Sequence, residues 1–352
     1  MSKRTLLAVH KYCGLVAALL ILIQALTGIT LVYRDNLGRL LDPAAMTRRT
    51  AGADLPPGMI LQAAQQRFPD FEVRRLVFPT ARDGVYSLWL ADADQRMHYA
   101  TLDPGDGALL SDGSIWRYPV EAALSLHYRL SGGKLGMLVV MMTGLSLLCL
   151  IVSGFIFWWP KGNKLGKALV VRRNLPARFF LRQLHRTVGV VGSLLLSIMA
   201  LTGLIMLAAM LLDPPPSGPW PKGAQKLDQA DSAFALAQAR FPGYSVRDIR
   251  MPAPDRFNVL FRTGERNPEA VSSVSVDLTS LRVQRVQDVR RATDPLVLLL
   301  SIHDGTLFGM AGTVVIFILG LVLAFLAVTG PLGWYLVARR RSRTVAKGPA
   351  RD

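Results

Sequence analysis

Four apolar stretches limit what this chain can become. Residues 12–33, 135–159, 188–212 and about 307–337 are each long enough to cross a hydrocarbon core of about 30 Å as a helix, which takes roughly 20 residues. None holds Lys, Arg, Asp or Glu in its apolar interior, and only the first carries a side-chain amide, Gln24. The composition agrees: 51% of the 352 residues are apolar and 18% charged, against about a quarter charged in soluble domains. The first stretch follows Lys3, Arg4 and Lys11, as a secretory signal would. Its apolar run exceeds the roughly 7–15 residues of a signal, and no small-residue cleavage pattern follows, so it reads as a retained span. Pro331 is expected to kink the last turns of the fourth span.

The chain has 41 Lys and Arg against 24 Asp and Glu, a net charge of +17, and the position of that charge decides its meaning. The segment 160–186 holds Lys161, Lys164, Lys167, Arg172, Arg173, Arg178, Arg182 and Arg186 with no acidic residue. The tail adds Arg339, Arg340, Arg341, Arg343, Lys347 and Arg351 against Asp352. Short basic segments flanking spans stay in the cytoplasm, so the N-terminus, this loop and the tail are expected there, and the two long, mixed-charge loops on the other side. The excess charge is thus a topology signal, not a nucleic-acid footprint. Cys13 and Cys149 both sit in apolar runs and leave no material for a disulfide framework or a cysteine-rich metal site.

Self-comparison finds the chain written twice. VHKYCGLVAALLILIQALTGITL from Val9 lies over LHRTVGVVGSLLLSIMALTGLIM from Leu184, aligning His10 with His185. AAQQRFP ending at Pro69 matches ALAQARFP ending at Pro242, and SLH at Ser125 pairs with SIH at Ser301. Gly144, Gly154 and Trp158 pair with Gly320, Gly330 and Trp334. The expected fold is a membrane α protein with small α+β domains, its four transmembrane helices forming a tandem, parallel repeat. The divisions are an N-terminus and first span (1–34), an outer domain (35–126), a second span (127–159), a basic loop (160–186), a third span (187–212), a second outer domain (213–302), a fourth span (303–337) and a basic tail (338–352). In each outer loop, spacing predicts one helix (59–67; 232–240) and then three strands (72–78, 85–90 and 97–102; 246–251, 257–262 and 271–278), giving a small antiparallel sheet apiece.

Four of the five histidines fall at equivalent ends of the spans. His10 and His185 begin the first and third; His127 and His303 lead into the second and fourth. Topology pairs His10 with His185 at one membrane face and His127 with His303 at the other. Ionisable groups are sparse in spans and mark function there, and imidazole is a common axial ligand for haem, so two bis-histidine haems would use all four. Gly14, Gly28, Gly132, Gly133, Gly136, Gly189, Gly192, Gly203, Gly305, Gly309 and Gly312 would let a flat macrocycle approach the backbone. The plainer reading stays open: interfacial histidines bonded to carbonyls or headgroups, and glycines that permit close helix packing. Because the halves are copies, the four histidines amount to two independent observations. His98, without a counterpart, reads as a surface or core-edge residue. Trp158, Trp159, Trp334 and Tyr335 read as interface anchors. Met137, Met141, Met142, Met199, Met206 and Met210 read as packing. Asp103 and Asp106 lack metal-ligand spacing, and no phosphate loop, serine-nucleophile or HExxH motif is present.

LHRTVGV at Leu184 with ALTGL, SLH followed by SGFIFWWPKG at Ser153, and SIHDGTLFG at Ser301 followed by TGPLGWYL at Thr329 resemble the PepSY-associated transmembrane family, over nearly the whole chain. That family includes inner-membrane iron-uptake proteins and ferric-siderophore reductases. The first span departs slightly, with Lys11 and Tyr12 where the third has Arg186 and Thr187. The resemblance implies two periplasmic PepSY-like domains and two b-type haems in a bacterial inner-membrane protein with both termini cytoplasmic. It also implies electron transfer to a periplasmic acceptor such as an iron(III)-siderophore. His10 and His185 would hold the entry haem and His127 and His303 the exit haem. No nucleotide or flavin pocket is legible, so the donor is a quinol or a separate cytoplasmic reductase.

Two other functions compete. A non-enzymatic PepSY protein would bind a periplasmic peptidase or envelope partner and tolerate loss of all four histidines. A transporter would suit a duplicated architecture, but an even number of spans per copy makes the halves parallel, and no span is broken by a charge near its middle. One tension concerns length: a single helix from His303 to Trp334 would extend roughly 46 Å, more than the hydrocarbon core.

Overall fold

The computed structural model describes residues 2–80, 84–160, 162, 164–212, 218–221, 223–262, 270–291 and 294–346. Of the positions used to orient the chain, Lys161, Lys347, Arg351 and Asp352, and the side chains of Arg339, Arg340, Arg341 and Arg343, lie outside the described residues. The chain divides into two compact units: one of residues 1–32, 123–211 and 302–352, the other of residues 33–122 and 212–301.

The first unit is built on four long apolar helices, α1 (Lys3–Val32), α5 (Gly133–Trp158), α7 (Ala177–Leu212) and α10 (Gly309–Ala346), all long and apolar enough to cross a membrane. They pack as a ring in which glycines set the closeness. Gly14 of α1 meets Leu150 of α5, Gly144 of α5 meets Leu204 of α7, Gly192 of α7 meets Val322 of α10, and Gly320 of α10 meets Ile29 of α1. Without a hydrophobic drive between helices in lipid, small residues that let backbones approach supply the packing. Ala17, Ile21, Ala25, Leu196, Leu319 and Leu323 form the buried centre. α10 runs through Pro331 without a break, because neighbouring groups can re-satisfy a freed carbonyl within a membrane bundle.

Two short helices precede the second and fourth spans: α4 (Pro119–Arg129) before α5, and α9 (Pro295–His303) before α10. The chain turns sharply after each. Leu130, Ser131 and Gly133 take positive φ after α4, and Gly305 and Gly309 do so after α9. Glycine is obligatory in these joints: a Cβ on Gly136 would stand 1.7 Å from the Arg129 carbonyl oxygen, and one on Gly312 2.1 Å from that of Gly305. This resolves the length tension, because His303 ends α9 and is not part of the spanning helix. A short helix α6 (Leu165–Leu169) lies in the basic loop between α5 and α7.

The second unit holds α2 (Arg34–Leu41), α3 (Pro57–Arg67), β1 (Glu72–Val77), β2 (Tyr86–Ala91), β3 (Met97–Leu102), β4 (Leu109–Ser114), α8 (Ala230–Gln238), β5 (Ser245–Ala253), β6 (Arg256–Arg262), β7 (Val271–Asp277) and β8 (Arg282–Gln287). The expected pair of small sheets is a single eight-stranded antiparallel one, ordered β4-β3-β2-β1-β5-β6-β7-β8. The seam pairs Arg75 with Arg250, Leu76 with Ile249 and Val77 with Asp248. Joining two edges satisfies a row of backbone groups that separate sheets would leave open. α3 and α8 supply Ile60, Leu61, Ala64, Ala233 and Ala237 to a core shared with Leu76, Leu88, Ile249, Phe257, Phe261 and Val274. The Asp231 carboxylate of α8 accepts from Gly58 N at 2.7 Å, meeting the positive end of α3.

Candidate functional site

All four span-end histidines lie in the helical unit, and one local device holds each of them. His10 on α1 places Nδ1 2.8 Å from Ser153 Oγ on α5. His185 on α7 places Nδ1 2.8 Å from Thr329 Oγ1 on α10. His127 on α4 stands 3.1 Å from Thr27 Oγ1 on α1, and His303 on α9 stands 3.0 Å from Thr202 Oγ1 on α7. In every case the residue after the hydroxyl is glycine: Gly154, Gly330, Gly28 and Gly203. A Cβ at any of them would come within 3.0–3.4 Å of the histidine Cε1. The dipeptide therefore offers a hydroxyl to Nδ1 and a bare backbone to the edge of the ring.

The hydroxyls fix the tautomer. Each has one hydrogen and donates it to the carbonyl one turn back: Ser153 to Cys149 at 2.6 Å, Thr329 to Phe325 at 2.8 Å, Thr27 to Ile23 at 2.7 Å and Thr202 to Ile198 at 2.8 Å. The hydroxyl oxygen must then accept, so Nδ1 carries the ring hydrogen. At His303 the Met199 carbonyl oxygen, a pure acceptor, also lies 3.0 Å from Nδ1 and requires the same tautomer. Nε2 keeps its lone pair in all four rings, the state in which imidazole ligates a metal. Each ring remains partly exposed.

The histidines gather in two pairs. The His127 and His303 rings have centroids 6.3 Å apart and an interplanar angle of 59°. His10 and His185 lie within electrostatic range of each other. Thr27 follows His10 by seventeen positions on α1, and Thr202 follows His185 by seventeen on α7. At 1.5 Å per residue the two levels are about 26 Å apart along the bundle, near the thickness of a hydrocarbon core. The apolar centre, including Ala17, Ile21 and Leu196, lies between them. Among the described residues no three His, Cys, Asp or Glu side chains come together to hold a bare metal ion. A pair of imidazoles would suit a metal that brings further ligands of its own, as haem iron does.

Sequence reasoning named the histidines and overlooked the hydroxyls. The missed signal is a Ser or Thr immediately before Gly in all four spans. Of the eleven glycines set beside the histidines in sequence, Gly28 and Gly203 meet a ring, while Gly14, Gly189 and Gly192 serve helix packing and Gly132, Gly136, Gly305 and Gly312 shape the joints. Trp158 is not exposed at an interface; it is buried, and its indole N–H donates to the Ala168 carbonyl oxygen at 3.4 Å. Trp159, Trp334 and Tyr335 are exposed, and the Lys11 ammonium stands 5.2 Å from a Trp334 ring centroid. Met199 packs in the apolar centre and offers His303 its carbonyl, not its sulfur.

Outside the bundle, His98 bonds Asp112 at 3.1 Å and packs on Phe68 and Phe71 at the core edge. Asp103 is buried and braces residues 49–50. Burial alone would raise its carboxyl, but hydrogen bonds from the Thr50 hydroxyl and the Gly105, Arg49 and Thr50 amides hold it at about 2.

A family described as the PepSY-associated TM region matches residues 7–336. Comparison with curated proteins returns no match.

Proposed function

The chain belongs to the PepSY-associated transmembrane family, and on that footing we propose that this membrane protein is a di-haem b-type reductase of the bacterial inner membrane. In this reading it passes electrons from a quinol or a cytoplasmic reductase to a periplasmic acceptor, an iron(III)-siderophore, and releases iron(II) during iron uptake. The observation that carries the proposal is the fourfold histidine–hydroxyl–carbonyl device, which leaves four Nε2 lone pairs in two pairs at two depths. His10 and His185 would hold one haem and His127 and His303 the other. Haem bound there would supply a one-electron carrier near each membrane face.

The chain's own residues do the rest. Ser153, Thr329, Thr27 and Thr202 hold the ring hydrogens on Nδ1 and leave the Nε2 lone pairs free to ligate. His127 and His303, whose ring centroids are 6.3 Å apart, would together hold one haem. The apolar centre between the two levels excludes water. The basic loop and tail favour a cytoplasmic position for both termini and for the His10 end. We read the two halves as copies of one unit, and the eight-stranded sheet as two PepSY-like domains joined edge to edge. Ferric iron is gripped by hard oxygen ligands, and reduction loosens that grip, which makes reduction a release step.

The test is a reduced-minus-oxidised spectrum with a haem-to-protein ratio, on protein purified from haem-replete cells. Low-spin b-type bands with two haems per chain are expected, and His127→Ala or His303→Ala should lose one haem while keeping the other. A colourless protein would overturn the reading.

A further inference from the structure

The chain has two cysteines, distant in sequence, and the fold brings them together. Cys13 lies on α1 and Cys149 on α5, and their thiols are within interaction range of each other. Cys13 Sγ stands 3.8 Å from the Ser146 carbonyl oxygen, in the turn before Cys149. A Cβ on the neighbouring Gly14 would meet Leu150 at 3.4 Å. Glycine beside Cys13 thus lets α1 come close to α5, as a bridge between facing side chains requires.

The pair lies one turn inside the contact that holds His10. Cys13 follows His10 by three positions and Cys149 precedes Ser153 by four, so each shares a helix face with one partner of that hydrogen bond. The Cys149 carbonyl is also the acceptor that ends the chain from His10 through Ser153, with steps of 2.8 and 2.6 Å. The second half repeats the arrangement with His185, Thr329 and the Phe325 carbonyl. There the corresponding side chains are Val188 and Phe325. Apolar side chains serve at that matching level, so packing alone does not call for two thiols here.

We propose that Cys13 and Cys149 are a modification site: a dithiol that a bilayer quinone oxidises reversibly to a disulfide. Two S–H bonds break and one S–S bond forms; the two electrons and two protons pass to the quinone, which leaves as quinol. Cys149 is exposed on an apolar span, so an oxidant that reaches it dissolves in lipid, as a quinone does. Cys149 is the accessible thiol and half-buried Cys13 its resolving partner. A disulfide holds its Cβ atoms about 3.8 Å apart, which draws α1 to α5 and moves the Cys149 carbonyl. Oxidation thereby alters the hold of Ser153 on His10 and leaves His127 and His303 as they are. The pairing stands without haem; only its effect on electron entry at His10 rests on the reading above.

The experiment uses the full chain in nanodiscs, reduced and then given a short-chain ubiquinone in the absence of oxygen. Thiol alkylation in denaturant and peptide mass spectrometry should show both thiols lost together to one bridge within the chain. Dithiothreitol should reverse it, and one quinol should form per bridge. Cys13→Ser should form no such bridge. In haem-free protein the imidazole nitrogen shifts of His10 should change on oxidation while those of His127 and His303 hold. Thiols that stay free in excess quinone, or that link separate chains, overturn the site. A bridge that leaves His10 unchanged overturns the coupling. A colourless protein that still forms the bridge refutes the haem reading and supports the site, so the two failures are distinct.

Discussion

The two units bury polar groups by opposite rules. In the helical unit the hydroxyls beside the histidines are neutral and each donates to a carbonyl of its own helix, Ser153, Thr27, Thr202 and Thr329 alike, and the four histidines bond those hydroxyls. In the sheet unit a carboxylate with no exposure sits among three guanidiniums. Lipid supplies no water to share a charge, so spans admit a polar group only when its hydrogen bonds are complete. A soluble core can hold an ion if the counter-charges come with it. The sharpest break of this contrast is Asp248→Asn. It keeps the shape and removes the counter-charge that Arg75, Arg247 and Arg250 share, and removal of one partner from a buried charge set costs about 3–5 kcal/mol. Segment-resolved hydrogen exchange should show β1 and β5 opening while α1 and α10 keep their protection. Equal loosening of both units would refute the contrast.

Acid should separate the units by a smaller margin. Asp103 is held at about 2 against an ordinary 3.8. Asp248 is likewise held well below its ordinary value, because Arg75, Arg250 and Arg247 outweigh the opposing effect of burial. A depressed carboxyl contributes stability above its unfolded value and loses it as pH falls through the folded one. For Asp103 the window runs from about pH 4 to about pH 2 and amounts to about 2 kcal/mol. The sheet unit should therefore lose protection on acidification across that window. The spans, with no Asp or Glu in their apolar interiors, should hold. A sheet as resistant as the helices at pH 2.5 would show that these carboxylates do not carry its stability.

The same contrast explains what was legible in the sequence. Membrane helices announce themselves through composition, and all four were found, with ends displaced where charged or polar turns extend them: α7 begins at Ala177, eleven residues before the apolar run at Val188. Strands with alternating burial, such as β7 with Ser272, Val274 and Val276 inward, were also readable. β4 (LLSDGS) and β8 (RVQRVQ) were not, because edge strands carry polar and charged residues that erase the alternation. The seam was invisible for a different reason: Arg75 and Asp248 are 173 positions apart, and nothing local marks a charge that tertiary contact will bury. The histidines stood out through rarity and repetition. Their hydroxyl partners did not, since Thr and Ser before Gly are ordinary in spans and gain meaning only when another helix brings an imidazole to them.

Removing a hydroxyl is the finest of these tests, and it separates two histidines that share one device. Among the described residues His185 has Thr329 as its Nδ1 partner, whereas His303 has both Thr202 and the Met199 carbonyl oxygen. Val matches Thr in shape, so Thr329→Val deletes the acceptor without opening a cavity and frees the His185 ring hydrogen to move to Nε2. A neutral hydrogen bond contributes about 1 kcal/mol, which is about a fivefold change in tautomer ratio. Thr202→Val should leave His303 in the Nδ1–H form, because a carbonyl can only accept. Imidazole nitrogen chemical shifts of haem-free protein would read both changes directly. Tautomer change in neither variant would mean that the hydroxyls do not set the state of the rings, and change in both would mean that the Met199 carbonyl does not hold His303 without Thr202. A change confined to His185 would place that control in the second acceptor, a difference of one carbonyl between otherwise matching sites.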